Sequence, residues 1–510
     1  MASDSPFAPY RLAPGSLPDE GARNARLVGA GPLMVGPDLP LPPALLAEAL
    51  ACVKTGQAAT EAEACRGADG ALAGNPAAPR ACLVGERHRL GVAAALRAVL
   101  QAGYAGAILE QPDGPLVEGL LGAGFCPDCQ REFQRRLVRK YGEQFQPVDF
   151  LALARTAVAN ASSALSFATL PFGRDFWRFR HESLERAVRA TVRGARDAAR
   201  EAGRPFALGG RFAALGPSQL GAARLLDAAI FPVTLSGYPV TGRFELLRGA
   251  LHRRAVAVEP PDDAPPAAWL RLASLGAPYG IGVAGLQPGR EAGAVLAGIR
   301  ALIRGVAARG GAPSVSVPLA EVGVLYSGEA DVWSAGRHRR AVESALEALI
   351  QRQLQVTVVL RPSELAAGIP LVLADAGSLS RLEAAEIAKR KGAPLLTFAG
   401  PGDEANFAKA VDAQFPPERR AVTVNSPGPL VAAVRSHPAG SDVHLATAWP
   451  DRARRVTLRL PVTVTGGARK ARFFMSDGTE ARLRFERSGE AAVLVELPTF
   501  TGYAVLTPER

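Results

Sequence analysis

The sequence predicts an α/β protein in which a (β/α) barrel is followed by a smaller α/β domain and a C-terminal β-sandwich. From about residue 24 to residue 312, short apolar runs alternate with amphipathic helical stretches, which is typical of repeated βα units. The alternation resumes on a smaller scale after Glu321, and beyond residue 437 the runs become short alternating strands separated by Gly, Asp and Pro turns. The predicted domains are therefore residues 1–312, 313–436 and 437–510.

The barrel is predicted from apolar strand candidates and from two clear helices between them. The strand candidates are residues 26–35, 81–84, 105–109, 206–208, 228–231, 255–258 and 279–283. The helices cover residues 90–102 and 175–202, and the second ends at the stop signals Gly203 and Pro205. Only about 80 residues precede the second candidate strand, whereas each βαβ unit takes ~30 residues or more. Because residues 5–43 are also rich in Pro and Gly, we expect the barrel to be irregular at its start.

The two following domains are predicted from shorter elements. Strands at 322–326, 355–360, 370–374 and 394–398 alternate with helices at 337–354 and 380–391, which predicts a small doubly wound, flavodoxin-like sheet. The terminal β-sandwich is predicted from strands at 443–448, 455–460, 471–475, 481–485, 491–497 and 503–506.

Composition narrows the class of protein. The chain has 510 residues, which is too long for one core and predicts two to four domains. With 48% hydrophobic and 21% charged residues it has the composition of a folded globular protein. The net charge is +11, but the basic residues are almost all arginines scattered through helices opposite Glu and Asp, with no basic run interleaved with aromatics. We therefore predict that nucleic acid is not the partner.

The expected location follows from signals that the sequence lacks. The sequence has no uninterrupted run of ~18 apolar residues, so no membrane span is predicted. The first ten residues also do not have the basic and apolar regions of a secretory signal. The five cysteines all lie in roughly the first quarter of the chain, and an odd number argues against a disulfide-stapled secreted protein. The expectation is a cytoplasmic protein.

Two carboxylates follow predicted strands. Glu110 comes directly after the apolar run 105–109, and Glu259 follows the run 254–258. A barrel places its chemistry at the carboxyl ends of its strands, and two carboxylates on different strands are what glycoside hydrolysis requires. Asp113 is a fallback carboxylate in the same loop as Glu110 and a candidate for substrate binding, and Asp262 or Asp263 could substitute on the side of Glu259. The alternative is that either Glu is a strand-end ion-pair partner or a loop cap.

Other residues are candidates for sugar contacts. Arg211 follows Gly209-Gly210 after a predicted strand, and Tyr238 and Trp269 offer aromatic faces that could stack on a sugar. The alternative for the aromatics is burial in the core. His181 lies on a long amphipathic helix, so we interpret it as a surface or packing residue and not as a base.

Cys126 and Cys129 have the spacing of half a zinc site. Cys82 or Cys65 would have to supply the remaining ligands. The alternative is a pair of reduced thiols on a loop.

Three patches of sequence resemble a known family. They are Gly124-Phe-Cys-Pro-Asp-Cys-Gln-Arg-Glu-Phe133 with Leu137 and Lys140-Tyr-Gly142, then Phe176-Trp-Arg-Phe-Arg-His-Glu-Ser183, then 322–327 with Glu329 and Trp333. Together with the domain order, they resemble the family 42 β-galactosidases and relatives with a β-galactosidase trimerisation domain.

The resemblance implies roles for individual residues. It makes Glu110 the acid/base at the end of the fourth barrel strand and Glu259 the nucleophile at the end of the seventh, in a retaining glycosidase that acts on a β-galactoside-like glycan. It implies a homo-oligomer such as a trimer, no required cofactor and a structural zinc. The chain departs from the family at Leu109, where an Asn precedes the acid/base, and at Gly124, where a further cysteine is expected. The alternative function is therefore a catalytically inactive relative that serves in glycan binding or oligomeric assembly.

The smaller α/β domain resembles the glutamine-amidotransferase-like fold. The turn in which those enzymes carry a cysteine, Phe398-Ala-Gly-Pro-Gly402, has no nucleophile here, and no cysteine occurs beyond Cys129. Thiol chemistry in this domain is therefore excluded. Assembly is its expected role.

Overall fold

A computed structural model describes most of the chain in two compact units, residues 34–232 and residues 1–33 with 233–510. The described residues are 10–11, 33–35, 49–116, 121–142, 145–160, 170–233, 240–251, 254–261, 264–284, 298–299, 301, 317–334, 336–390, 395–437, 440–448 and 450–509. The predicted domain boundaries at residues 312 and 436 stay predictions. Two short strands, Tyr10–Arg11 (β1) and Leu33–Val35 (β2), lie near the amino terminus. The rest of the predicted strand 26–35 lies outside the described residues.

The unit of residues 34–232 combines parallel strands with helices. Its strands are Ala49–Lys54 (β3), Gly74–Asn75 (β4), Ala78–Pro79 (β5), Gly106–Glu110 (β6), Ala207–Arg211 (β7) and Ala228–Pro232 (β8). Its helices are Glu86–Gln101 (α1), Pro127–Tyr141 (α2), Phe150–Asn160 (α3), Gly173–Glu201 (α4) and Pro217–Ala223 (α5). β3, β6, β7 and β8 are joined by parallel pairing in that order. Their carboxyl ends therefore lie along one edge of the sheet.

The longest helix shows why this part of the sequence was predictable. In α4 the side chains of Phe176, Phe179, Leu184, Val188 and Val192 are buried, and their spacing puts them on one face of a helix. The prediction of a helix at 175–202 is confirmed, as is the helix predicted at 90–102, which is the carboxyl-terminal part of α1.

The strand predicted at 81–84 is wrong. Ala81 forms only an isolated bridge to Ala64, and the next three residues are in turn and loop conformation. This segment is apolar because Ala81 and Cys82 are buried around the cysteine cluster described below. The strand that pairs with β6 on the side opposite β7 is instead β3, where Leu50 pairs with Gly106 and Lys54 pairs with Glu110.

The second unit begins with one parallel strand pair and two helices. Ala255–Glu259 (β9) pairs with Ile281–Val283 (β10), and the helices are Val240–Ala250 (α6) and Pro266–Gly276 (α7). The strand predicted at 279–283 is observed only from Ile281 onward. Tyr279 is the last residue of a 3₁₀ turn, and Gly280 has a left-handed conformation with a φ of +70°.

A small parallel sheet follows, as predicted. Its strands are Val322–Leu325 (β12), Val356–Val359 (β13), Leu371–Ala374 (β14) and Leu395–Phe398 (β15), in the order β13-β12-β14-β15. Its helices are Gly328–Trp333 (α8), Arg337–Gln351 (α9), Arg381–Ala388 (α10) and Glu404–Gln414 (α11). The capping box of Ser380 and Glu383 fixes the start of α10.

The buried imidazole of His338 makes this region sensitive to acid. His338 is fully buried in α9, its Nε2 accepts a hydrogen bond of 3.0 Å from the Ser327 amide, and burial lowers its pKa to about 4. Because the unfolded chain takes up this proton near pH 6.5, the stabilisation is present above pH 6.5 and is lost as the pH falls to about 4. We expect His338 to account for about 3 kcal/mol of the loss in unfolding free energy over that range, measured by denaturant titration. His338→Gln should remove this part of the pH dependence, and an unchanged slope in that variant would contradict the assignment.

The described part of the C-terminal region contains two larger antiparallel sheets around a shared core and a further sheet of two short strands. Its strands are Val317–Pro318 (β11), Thr423–Asn425 (β16), Val431–His437 (β17), Gly440–Ala446 (β18), Arg452–Ala453 (β19), Val456–Pro461 (β20), Lys470–Met475 (β21), Glu480–Arg484 (β22), Glu486–Ser488 (β23), Ala492–Leu497 (β24), Phe500–Thr501 (β25) and Tyr503–Glu509 (β26). The sheet orders are β11-β17-β18-β26-β21-β22 and β16-β20-β24-β23. Val434, Leu445, Leu458, Phe473 and Val495 are buried between them. Apart from β11, the described antiparallel strands start at Thr423, before the predicted start of the β-sandwich at residue 437.

A short helix, Val462–Thr465 (α12), interrupts this region. Within the described ranges, we find no helix with both the length and the apolar character that crossing a membrane requires.

Candidate active site and cysteine cluster

Glu110 lies at the carboxyl end of β6, beside cations of the neighbouring strands. The register pairs Lys54 of β3 with Glu110 and Glu110 with Arg211 of β7. Arg211 Nη1 is 3.6 Å from Glu110 Oε1, and the two side chains are 18% and 21% exposed. Glu110 is therefore both paired with a cation and reachable from solvent, in agreement with its predicted position at the end of a strand.

The backbone around Glu110 is held by a dense set of hydrogen bonds. The amides of Thr55 and Gly56 donate to the Glu110 carbonyl at 3.2 and 3.0 Å. Gln111 has a φ of +48°, its amide donates to the Arg211 carbonyl at 2.7 Å, and its side chain accepts from Arg80 Nη1 at 2.8 Å. A non-glycine residue in the left-handed region costs energy, and functional sites are one place where such strain is kept. This strain directly follows the candidate catalytic carboxylate.

Gly56, which has no side chain, allows the loop after β3 to lie close to the backbone of Gln111. A Cβ at Gly56 would lie 2.0 Å from the Gln111 carbonyl oxygen, so the backbone after Glu110 would have to move. We expect Gly56→Ala to lower the unfolding free energy by about 1–3 kcal/mol, measured by denaturant titration. Gly91→Ala is the matched control, since a Cβ there meets nothing within 4 Å on an exposed face of α1. It should be neutral or stabilising by up to ~1 kcal/mol; equal effects of both changes would contradict this account.

Asp113 is fully buried, and its contacts lie within the protein. Its two carboxylate oxygens accept hydrogen bonds from the amides of Ala213 and Ala214 at 2.9 and 3.2 Å and from Gln219 Nε2 at 3.1 Å. Burial raises the pKa of the carboxyl group, and these hydrogen bonds partly offset that effect. The geometry favours a role in fixing the loop after β7 over direct contact with a sugar.

The remaining candidates for catalysis and sugar contact belong to the other unit. Glu259 is half-buried at the end of β9, and its carbonyl accepts a hydrogen bond from Val233 at 2.9 Å. Trp269 on α7 is only 7% exposed, so most of its ring is packed in the core. Tyr238, Asp262 and Asp263 lie outside the described residues, so their predicted roles stay predictions.

His181 is a packing residue, in agreement with its interpretation from sequence. Its Nε2 accepts a hydrogen bond from Trp177 Nε1, and its Nδ1 is hydrogen-bonded to Ser218 Oγ. Because an indole nitrogen can only donate, the neutral ring carries its proton on Nδ1 and offers no base to Ser218. Burial lowers the pKa of His181 to about 3, so the ring is neutral at physiological pH.

The structure brings four cysteine thiols together. The Sγ atoms of Cys65, Cys126 and Cys129 lie within 4.8 Å of one another, and Cys82 Sγ is 3.2 Å from Cys126 Sγ and 3.5 Å from Cys129 Sγ. Four thiolates around zinc would be about 3.8 Å apart, given Zn–S bonds of about 2.3 Å. The cluster thus has the composition and nearly the spacing of a Cys₄ site.

The surroundings of the cluster fit a metal ligand set. All four cysteines are buried, next to Phe125, Phe133 and Phe176. The Gly124 amide donates to Cys65 Sγ at 3.0 Å. Hydrogen bonds with Cys126 and Cys129 hold the pKa of Cys65 well below its usual value, whereas hydrogen bonds with Cys126 raise the pKa values of Cys82 and Cys129. Gly124, where the family resemblance leads one to expect a cysteine, therefore contributes its amide, and Cys65 from far earlier in the chain supplies the thiol.

Comparison with known proteins supports a fold assignment. No family model and no curated protein matches the chain. Among solved structures, it is similar to a β-galactosidase from Bacillus circulans sp. alkalophilus, with a TM-score of 0.63 and 10% identity over 98% of this chain and 100% of the other. An α-L-fucosidase isoenzyme 2 from Paenibacillus thiaminolyticus gives a TM-score of 0.66 and 10% identity over 99% and 100%. A catalytic mutant of a GH42 β-galactosidase from G. stearothermophilus gives 0.61 and 11% over 97% and 99%.

The chain has the fold of the GH42 β-galactosidases. The similarity runs over nearly the full length of both chains, which confirms the resemblance read from the sequence patches. At sequence identities of 10–11%, the similarity supports the fold alone. Any activity has to be inferred from the residues of this chain. The sequence did not predict that Lys54, Arg80 and Gln111 lie near Glu110. The position of Lys54 depends on the register of β3 on β6, and the contact of Arg80 with Gln111 depends on the positive φ of Gln111, which no local sequence motif indicates.

Proposed function

We propose that the protein is a retaining glycoside hydrolase that acts on a β-galactoside-like or related glycan. The observation that carries the proposal is the full-length similarity to glycosidases together with Glu110 at the carboxyl end of a parallel strand. Glu259 at the end of β9 is the second carboxylate of the proposal. Both side chains are half-buried, which leaves each accessible to a ligand.

The proposed mechanism gives the two carboxylates separate roles. Glu259 would attack the anomeric carbon, while Glu110 donates a proton to the leaving oxygen. In the second step, Glu110 would take a proton from water, which then releases the sugar from Glu259 with the original anomeric configuration. Each step conserves protons, since the one that Glu110 gives up first is recovered from the water.

The test is a substrate screen with a stereochemical readout. The wild-type protein should hydrolyse at least one 4-nitrophenyl glycoside of a panel that includes the β-galactoside and the α-L-fucoside. Proton NMR of the first product should show the anomer of the substrate, before mutarotation mixes the two forms. Release of the opposite anomer would overturn the retaining mechanism, and an absence of turnover across the panel would overturn the hydrolase assignment.

The alternative function, a non-catalytic relative in glycan binding or assembly, has one observation in its favour. Two leucines of the small parallel sheet region are unusually exposed, Leu382 on α10 at 80% and Leu395 on the edge strand β15 at 50%. Within the described part of the chain, β15 pairs only with β14, and exposed apolar side chains beside such a strand edge favour association with another chain. A stable oligomer that binds glycans and turns none of them over would support this alternative.

We also propose that Cys65, Cys82, Cys126 and Cys129 bind a structural zinc ion. The donor set fits, since three buried thiols lie within 4.8 Å of one another, the buried Cys82 thiol lies beside two of them, and zinc prefers four thiolate ligands. Zinc would cross-link the loop before α1 to the start of α2, next to the phenylalanine core. A closed four-thiolate site has no position open for substrate, so its contribution would be to stability alone.

A further inference from the structure

The backbone next to Glu110 is anchored by the loop that follows β3. The Glu110 carbonyl accepts hydrogen bonds from the amides of Thr55 and Gly56 and a third, at 3.0 Å, from the Thr55 hydroxyl. The carbonyl of the next residue, Gln111, accepts from the Gly114 amide at 2.9 Å. The peptide that bears the candidate acid/base is therefore held on the carbonyl side and again one residue later.

One side chain completes this arrangement. Arg80 Nη1 donates to Gln111 Oε1 at 2.8 Å. Gln111 has a φ of +48°, which a residue with a side chain rarely adopts, so contacts from outside have to keep it in that conformation. Loss of the contact with Arg80 would let the turn relax, and the relaxation would start at the peptide that joins Gln111 to Glu110.

Arg80 is itself firmly held. Its amide donates to the Ala73 carbonyl at 2.9 Å, and its carbonyl accepts from the Cys65 amide at 2.7 Å. A Cβ at Gly114 would lie 3.1 Å from Arg80 Cδ, so the aliphatic part of the arginine packs directly on the turn. The hydrogen bond to Gln111 thus joins two anchored segments of the chain.

We propose that Arg80 is a positioning residue for Glu110 and acts through Gln111. The inference rests on the proposed glycosidase function and adds to that site a residue that does not need to touch the sugar. A general acid has to lie within hydrogen-bond reach of the leaving oxygen, and a displacement of about 1 Å can cost ~10²-fold in rate. Without the contact between Arg80 and Gln111, protonation of the leaving oxygen becomes less efficient.

The test compares the 4-nitrophenyl and the methyl glycoside of the sugar on which the wild-type protein is most active. Arg80→Met should lower kcat/KM on the methyl glycoside by about 10–10²-fold and on the 4-nitrophenyl glycoside by less than about threefold, because only the methyl glycoside needs a proton on its leaving group. A purely structural role would lower both values by one factor, since it reduces the amount of folded protein. Arg80→Lys should recover part of the loss, because its ammonium group also donates to an amide oxygen.

A double-mutant cycle tests whether Arg80 acts through Gln111. Gln111→Asn keeps a residue type that tolerates a positive φ and shortens the side chain away from Arg80, so it should show the same selective loss. The double variant should be no worse than either single variant, because all three lack the same contact. Arg204→Met is the matched control: Arg204 is also half-buried and donates to the Tyr104 carbonyl at 3.2 Å, before the opposite end of β6. It should leave the ratio of the two kcat/KM values unchanged.

The contrary outcomes separate this inference from the function on which it rests. Equal losses on both glycosides, or losses that multiply in the double variant, would overturn the positioning role of Arg80. Both results would leave the hydrolase proposal in place, because they are measured against an active wild-type protein. A wild-type protein that turns over no glycoside would overturn the proposed function, and the role of Arg80 would fall with it.

Discussion

Removal of zinc from the purified protein should lower its melting temperature by on the order of 10 °C or more. Four buried thiols lie together at the cluster, and structural zinc sites in small peptides contribute about 10–16 kcal/mol of apparent binding free energy at neutral pH. Even if only ~4 kcal/mol of this is lost on removal, a unit of 150–250 residues melts roughly 2–4 °C lower per kcal/mol. The measurement is calorimetric melting before and after chelation, with metal content determined by mass spectrometry and expected at one zinc per chain.

Cysteine variants make the zinc prediction specific. Cys82→Ser and Cys126→Ser should each lose the metal and melt at a temperature near that of the chelated protein. Cys52→Ser is the matched control, because Cys52 lies on β3 outside the cluster and is half-buried. Zinc-free protein from zinc-supplemented medium, or a Cys82→Ser variant with unchanged metal content, would refute the site.

The sequence predicted most elements of the two C-terminal regions closely, because each short strand there is bounded by turn residues. The strand predicted at 491–497 is Ala492–Leu497, and the helix predicted at 337–354 is Arg337–Gln351. The prediction of a strand at 81–84 was wrong because an apolar run indicates that a segment is buried, but not that its backbone pairs with another strand. This segment is buried beside the cysteines, whereas the strand next to β6 is Ala49–Lys54, which was not predicted. The closure of the parallel strands into a barrel stays a prediction.

The candidate site was predictable to the extent that it depends on position within an element. Glu110 and Glu259 each end a strand, as their place after an apolar run predicted. The convergence of Cys65 with Cys126 and Cys129 could only be suspected, since the spacing of the last two defines half a site. The environment of Glu110 was not predictable, because the contact with Arg211 follows from the register of β6 on β7 and the hydrogen bond of Arg80 from the turn at Gln111.

Substitution of the two proposed catalytic carboxylates should have the largest effects on activity. Glu259→Gln should abolish turnover of every substrate, because without the nucleophile no glycosyl-enzyme intermediate forms. Glu110→Gln should lower kcat/KM by about 10²–10⁴-fold on glycosides with poor leaving groups, which need protonation. On 4-nitrophenyl glycosides, whose leaving group needs little help, the first step should survive and the second should become limiting. Glu201→Gln at the exposed end of α4 is the control and should retain full activity.

A small external nucleophile separates the roles of Glu110 and Glu259. Azide needs no general base, so it should accelerate Glu110→Gln on 4-nitrophenyl glycosides and release a glycosyl azide with the configuration of the substrate. Glu259→Gln should give no such retained product, since the intermediate that azide would intercept is absent. If Glu110→Gln kept wild-type rates on poor leaving groups, Glu110 would be a strand-end partner of Arg211 and not the acid. If Glu259→Gln kept turnover, the nucleophile would have to be sought at another carboxylate.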